Sequence, residues 1–326
     1  MAEAEAAKLP IIDLCSSDSI STANSIRQAC VDYGFFYLVN HGVEEELLAR
    51  VFEESRKFFS LPLAAKMNLL RKENRGYAPF YAENLDPSSR SKGDSKESFH
   101  IGPLEKSCLN QWPSQELLPS WRPTMESYYC KVLCYLRSAG KRLISLIALA
   151  LNLDKDYFEK IGALDKPESF LRVLHYPAET FVISGELGNS EEEIFGASAH
   201  SDYGMITLLV TDGVPGLQAY VYSTPVCREK FNEPRTWENV IHRNGAFIVN
   251  IGDMMERWTN CLFRSTLHRV MPTGQERYSL AFFLEPNVEC IVQCLESCCS
   301  ESSPPRFAPI RSGDYLKERF RLTYGS

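Results

Sequence analysis

Apolar positions recur with a helical period in the first half of the chain and with a strand-like period in the second. A short entry, Leu9 to Leu14, leads into an amphipathic run from about Thr22 to Tyr33, then into the strand-like Gly34 to Val39. Helical spacing returns at Glu44 to Phe59, where Leu47, Leu48, Val51, Phe52 and Phe58 share one side, and Pro62 opens a shorter segment. The stretch from Glu73 to Pro103 is rich in Gly, Pro, Ser and Asn and predicts a long loop region. From Trp121 to Leu153 the spacing predicts the longest helix, with Val132, Leu136, Gly140, Leu143, Ile147 and Leu151 as a stripe that supports a sheet.

After Pro167 the texture changes. Short β-branched and aromatic segments appear at 170–176, 205–210, 246–250, 263–270, 278–284 and 288–292. Turn signals at 212–216, 243–245 and 272–275 separate them, with no helical crossovers between. The expected fold class is therefore α+β, with an antiparallel double sheet or barrel. The jelly roll is the common solution that hides most strand edges.

The chain has 326 residues, 44% hydrophobic and 24% charged, enough to bury a large core. A net charge of -7 argues against nucleic acid or anionic lipid as a partner, since both need clustered Lys and Arg. No secretory or transit signal opens the sequence, and the longest apolar stretch, Leu143 to Leu151, falls far short of the roughly 20 residues that span a bilayer. Eleven scattered cysteines suit reduced thiols, so the cytoplasm is the expected compartment.

Candidate chemistry gathers at two pairs of alternate positions. His200 and Asp202 sit where a strand is expected, so an imidazole and a carboxylate share a face. A second strand-like segment supplies His268, and two His with one carboxylate is the arrangement that leaves positions open on non-haem iron(II). Arg277 and Ser279 likewise share a face, which suits bidentate capture of a carboxylate. Singly, each has an ordinary reading as a packed or paired residue; the joint pattern is what carries weight. There is no GxGxxG, Walker loop or GxSxG elbow. His41, His175 and His242 are expected to be structural, and Cys290, Cys294, Cys298 and Cys299 lack the CxxC spacing of a zinc or iron–sulfur site.

These residues resemble the plant-type iron(II)- and 2-oxoglutarate-dependent dioxygenases, the isopenicillin N synthase-like group with flavonol synthase and gibberellin oxidases. The resemblance runs over nearly the whole chain: LPIIDL, Asp32 to Val43 and Phe58 to Pro62, then His200 to Gly204 with Thr207 to Leu209, Gly216 to Gln218, Asn250 to Asp253, His268 to Val270 and Arg277 to Ser279. It implies a double-stranded β-helix (jelly roll) core with flanking helices, divided as an N-terminal module of 1–120 and an oxygenase domain of 121–326. It also implies that His200, Asp202 and His268 hold iron, that Arg277 and Ser279 bind the far carboxylate of 2-oxoglutarate, and that Tyr176 adds a hydrogen bond there. The implied reaction is hydroxylation, desaturation or demethylation of a small organic metabolite in plant metabolism, with release of succinate and carbon dioxide. Its partners would be that substrate and dioxygen, with ascorbate as an accessory reductant and the chain acting as a monomer. Arg75 to Phe80, Phe99, His100, Phe282 and Leu284 are the expected substrate wall.

Two departures from the family pattern stand out. Leu174 replaces an Asn that many relatives carry two residues before the tyrosine, and the segment from Ala219 to Pro225 reads as an insertion. They keep open the alternative of a non-catalytic binding protein that retains the fold, while the resemblance itself keeps open an iron oxidase of the same fold that makes no use of 2-oxoglutarate.

Overall fold

At one edge of a large sheet, Ile11–Asp13 (β1) runs parallel to Phe35–Val39 (β2), and the helix Ser19–Asp32 (α1) connects them. Asp18 caps that helix by accepting from the Ser21 N–H, which satisfies one of the free donors at its start. Helices Glu45–Phe59 (α2) and Leu63–Met67 (α3) follow, then the strands Gly76–Ala78 (β3) and Glu97–Ile101 (β4). The computed structural model describes residues 6–85, 93–137, 140–178, 194–222 and 235–324.

In the region where one long helix is expected, helix is described over Trp121–Arg137 (α4) and Gly140–Ala150 (α5), and positions 138 and 139 between them lie outside the described residues. A single turn, Tyr157–Lys160 (α6), leads into the strands Phe170–Tyr176 (β5), Ala197–His200 (β6), Ile206–Thr211 (β7), Leu217–Tyr222 (β8), Arg235–Asn239 (β9) and Phe247–Ile251 (β10). The helix Asp253–Trp258 (α7), strands His268–Val270 (β11), Arg277–Leu284 (β12), Ile291–Val292 (β13) and Ile310–Arg311 (β14), and the helix Ser312–Tyr324 (α8) complete the chain.

The large sheet has the order β1-β2-β10-β7-β12-β5-β4-β3, and the small one β6-β11-β8-β9; every pairing except β1 with β2 is antiparallel. Alternation along each strand sorts the side chains into two layers. Phe36, Val173, Leu208, Val249, Leu280 and Phe282 point outward into a core shared with the helices. Phe35, Leu174, Tyr176, Ile248 and Ala281 point inward and meet Ala197, Leu217 and Val270 of the small sheet. The result is the expected jelly roll, with its interior between the sheets.

The strands β3 and β4 lie in the stretch read as loop. All five residues of β4 are buried, yet three are polar, and each face finds partners that the sequence does not advertise. Glu97 accepts from Lys66 Nζ at 2.7 Å and lies 2.8 Å from His175 Nδ1, while Ser98 and His100 face inward. The insertion read at Ala219 to Pro225 begins inside β8, whose pairing with β9 is regular from Gln218↔Asn239 to Tyr222↔Arg235. Its last three positions lie outside the described residues.

Candidate metal centre and active site

The small sheet sets His200 directly opposite His268 across the β6–β11 pair, with ring centroids 4.3 Å apart. Asp202 reaches the same spot from just beyond the end of β6 rather than from within it. Strand alternation is therefore not what orients its carboxylate. Its backbone carbonyl accepts from the Asp253 N–H at 2.7 Å, and its Oδ2 accepts from Thr207 Oγ1 at 2.6 Å and Asn250 Nδ2 at 2.7 Å.

Those bonds leave Oδ1 free, 3.8 Å from His200 Nε2 and 3.7 Å from His268 Nε2. Each imidazole lies with Nδ1 against a backbone carbonyl, Ser198 O at 2.7 Å for His200 and Thr266 O at 3.1 Å for His268. A nitrogen facing a carbonyl oxygen must carry the proton, so both Nε2 atoms present lone pairs. Burial, then the neighbouring His268, pushes the His200 imidazole down to about 4, while the two imidazoles and the Asn250 and Thr207 hydrogen bonds outweigh burial and keep the Asp202 carboxyl below its usual range. Two imidazole nitrogens and one carboxylate oxygen, all within 4.8 Å of one another, are a donor set that suits a divalent iron. Among the described residues Cys290, Cys294, Cys298 and Cys299 join no such group.

The trio opens on a cavity of about 570 Å³ that Arg277, Ser279, Tyr176, Leu174 and Lys96 also line. Arg277 is buried, and its guanidinium donates to the Val214 carbonyl at 3.2 Å and to Ser279 Oγ at 3.4 Å, with the Tyr176 ring 4.9 Å away. Among the described residues no carboxylate pairs with it. A buried cation without a counter-charge is costly unless an anion completes it, so the cavity suits an acid that reaches from the metal to Arg277. Leu174, the cross-strand neighbour of Ser279, fills an inward position with hydrocarbon, so no polar contact comes from there.

A second cavity, about 640 Å³, shares His200, Asp202, Arg172 and Phe283 with the first. Phe170, Phe320, Tyr203, Glu285 and His100 add to its wall. Of the expected substrate wall only His100 is there. Tyr77, Phe99, Phe282 and Leu284 belong to the outer core. The correct parity was available from Arg277 and Ser279, because the same face of β12 continues through Ala281 and Phe283 and on to Glu285. Phe320 and Tyr203 were not foreseeable in this way, since α8 meets the site through contacts distant in sequence, such as the one between Tyr203 Oη and Thr323 Oγ1.

Glu285 is buried and its Oε2 has no hydrogen-bond partner. Burial, with the Asp202 and Asp253 carboxylates nearby, pushes its carboxyl well above the usual range. The metal-free folded protein then holds a proton that the unfolded chain gives up near pH ~4.3, so stability falls as pH rises above that value, by at most about 1.4 kcal/mol per pH unit. Glu285→Gln has no such proton. Its melting temperature in the metal-free state is expected to match wild type near pH ~4 and to exceed it increasingly toward pH ~8; a gap that shrinks with rising pH would contradict this.

Other expected structural histidines have local partners: His175 lies between Glu97 and Glu276 at 2.8 Å each, His242 is 2.9 Å from Thr211 Oγ1, and His41 Nδ1 accepts from the Val43 N–H.

Comparison with known proteins bears on the same geometry. Residues 9–115 match the model described as non-haem dioxygenase in morphine synthesis N-terminal, and residues 167–286 that of the 2OG-Fe(II) oxygenase superfamily. The chain is 38% identical to Kihadalactone A synthase LFS of Citrus sinensis, over 96% of this chain and 91% of that one. Among solved structures, a full-length Neurospora crassa protein in complex with alpha-KG and thymine superposes with a TM-score of 0.80 at 28% identity, covering 98% and 99% of the two chains. JOX2 in complex with 2OG, Fe and JA gives 0.75 at 30%, covering 97% and 86%. The three donors gathered beside the β6–β11 pair, and a buried guanidinium in the same cavity that no carboxylate pairs with among the described residues, thus have a family to explain them: the chain belongs to the 2OG-Fe(II) oxygenases, enzymes that use iron(II) and 2-oxoglutarate to oxidise small molecules.

Proposed function

We propose that His200, Asp202 and His268 hold the iron, through Nε2, Oδ1 and Nε2, and that Arg277 with Ser279 receives the far carboxylate of 2-oxoglutarate. Bound there, iron(II) supplies the activation of dioxygen that side chains alone cannot perform. The chain's own part is to hold the two acids of the co-substrate apart, with Tyr176 bordering the Arg277 end, and to keep the site dry. The second cavity takes the substrate. Its Phe170, Phe283 and Phe320 walls suit a largely apolar, ring-bearing metabolite of plant metabolism, whose hydroxylation, desaturation or demethylation the enzyme performs.

The observation that carries this reading is a buried guanidinium, without a carboxylate partner among the described residues, in the same cavity as a His-Asp-His trio. Anaerobic calorimetry of 2-oxoglutarate against the iron(II) form tests it. Binding that requires the metal supports the reading, and binding indifferent to it, or none, counts against it and favours the iron oxidase that uses no 2-oxoglutarate.

We further place residues 1–120 as a module distinct from the 121–326 oxygenase domain, ascorbate as an accessory reductant, and the chain in the cytoplasm as a monomer that engages neither nucleic acid nor membrane. The net charge of -7 supports the part about nucleic acid and membrane surfaces, and among the described residues no helix is long and apolar enough to cross a membrane. Light scattering on the eluting protein tests the oligomeric state.

A further inference from the structure

Both imidazoles at the centre are oriented by the carbonyl of the residue two positions back, Ser198 for His200 and Thr266 for His268. An orienting carbonyl is only as fixed as the peptide that bears it. The strand β6 is short, lies at the edge of the small sheet, and its register against β11 slips by one residue between His268↔His200 and Val270↔Ala197. Its ladder alone is a weak frame for a ligand.

What completes the frame comes from far earlier in the chain. Asp94 Oδ1 accepts from both the Ser198 N–H at 2.8 Å and Ser198 Oγ at 2.7 Å, and the Ser95 N–H donates to the Phe195 carbonyl at 2.8 Å. Asp94 is fully buried, and its other oxygen receives Lys96 Nζ at 2.5 Å, which also lies 3.2 Å from Glu83. On the other side, Thr266 Oγ1 donates to the Tyr33 carbonyl at 2.7 Å. The next residue, Gly34, sits at φ 70°, and a Cβ there would lie 2.3 Å from the Arg264 carbonyl oxygen and 2.5 Å from Thr266 Oγ1. Only glycine allows the two backbones to meet so closely.

Each imidazole is thus tied, through one hydroxyl-bearing residue, to the first 120 residues of the chain. We propose that Asp94 and the Tyr33 carbonyl are positioning groups for His200 and His268, so that the N-terminal segment sets how tightly the two imidazoles hold their metal. Loss of either tie frees the peptide whose carbonyl fixes a ring, and the ring must then be ordered at the moment of binding. This inference rests on the reading of His200 and His268 as iron ligands.

Cobalt(II) affinity of the metal-stripped full chain, measured by competition with a chelator and read beside thermal unfolding of the metal-free protein, tests it. Asp94→Ala and Thr266→Val are each expected to weaken cobalt(II) binding roughly 10- to 100-fold, by the usual effect of outer partners on metal ligands, and the double variant to multiply the two losses. The comparison variant is Val173→Ala, in the outer core of β5. It is expected to lower the melting temperature while keeping cobalt(II) affinity within about twofold of wild type. Should Asp94→Ala not fold, Thr266→Val decides alone. Unchanged affinity in the folded variants, or an equal loss in Val173→Ala, overturns the inference. A wild-type chain that binds no cobalt(II) overturns the ligand reading instead, and this inference with it.

Discussion

Asp202→Ala is expected to abolish succinate formation from 2-oxoglutarate, by roughly a thousandfold or more, which corresponds to about 4 kcal/mol of lost metal chemistry. The loss has two parts. Oδ1 is the one anionic donor in the trio, and Oδ2 is the acceptor for Thr207 and Asn250. Removing the carboxylate therefore leaves two buried donors without an acceptor, each at a cost of about 1–3 kcal/mol, in addition to weakening the metal's hold. Melting temperature should fall as well as activity. Iron(II) affinity should fall with them, and an affinity equal to wild type would mean that Asp202 is not a ligand. His200→Ala and His268→Ala are expected to match the loss of activity with a smaller loss of stability, since each ring bonds only to a carbonyl two residues back.

Arg277→Leu is expected to raise the KM for 2-oxoglutarate by roughly 30-fold to several thousandfold, the range set by about 2–5 kcal/mol for truncating one partner of a buried charge pair. At saturating co-substrate, kcat should change far less, because the proposed role of the guanidinium is to hold the far carboxylate and not to touch the reacting atoms. The apo protein should tolerate the change well, since its guanidinium has no carboxylate partner among the described residues and the substitution removes an uncompensated buried charge. Arg277→Lys, which keeps the charge and loses the planar fork, should fall between the two. If kcat drops while KM holds, the far carboxylate is bound elsewhere.

Legibility of the site in the sequence followed how local each signal was. His200 and His268, Arg277 and Ser279 could be found because they lie on strands, where period two ties side chains to one face. The same rule applied from Arg277 onward would have selected Phe283 and Glu285 in place of Phe282 and Leu284. Asp202 was found for an incomplete reason: it stands past the strand's end and is aimed by Thr207, Asn250 and the Asp253 amide. The strand β4 was missed because it looks polar. Glu97, Ser98 and His100 are satisfied by partners from several elements, so burial left no apolar trace along the chain. Asp94 and Lys96, just upstream of those positions, were unreadable for the same reason. The meaning of Asp94 lies in Ser198, 104 positions away.

The most direct test is a crystal structure of the protein grown with manganese(II) and 2-oxoglutarate without oxygen, using anomalous scattering to locate the metal. The account predicts a peak bounded by His200 Nε2, Asp202 Oδ1 and His268 Nε2, with the distal carboxylate of 2-oxoglutarate on Arg277 and Ser279. A metal bound away from those three atoms, or a co-substrate whose distal end avoids Arg277, would contradict it.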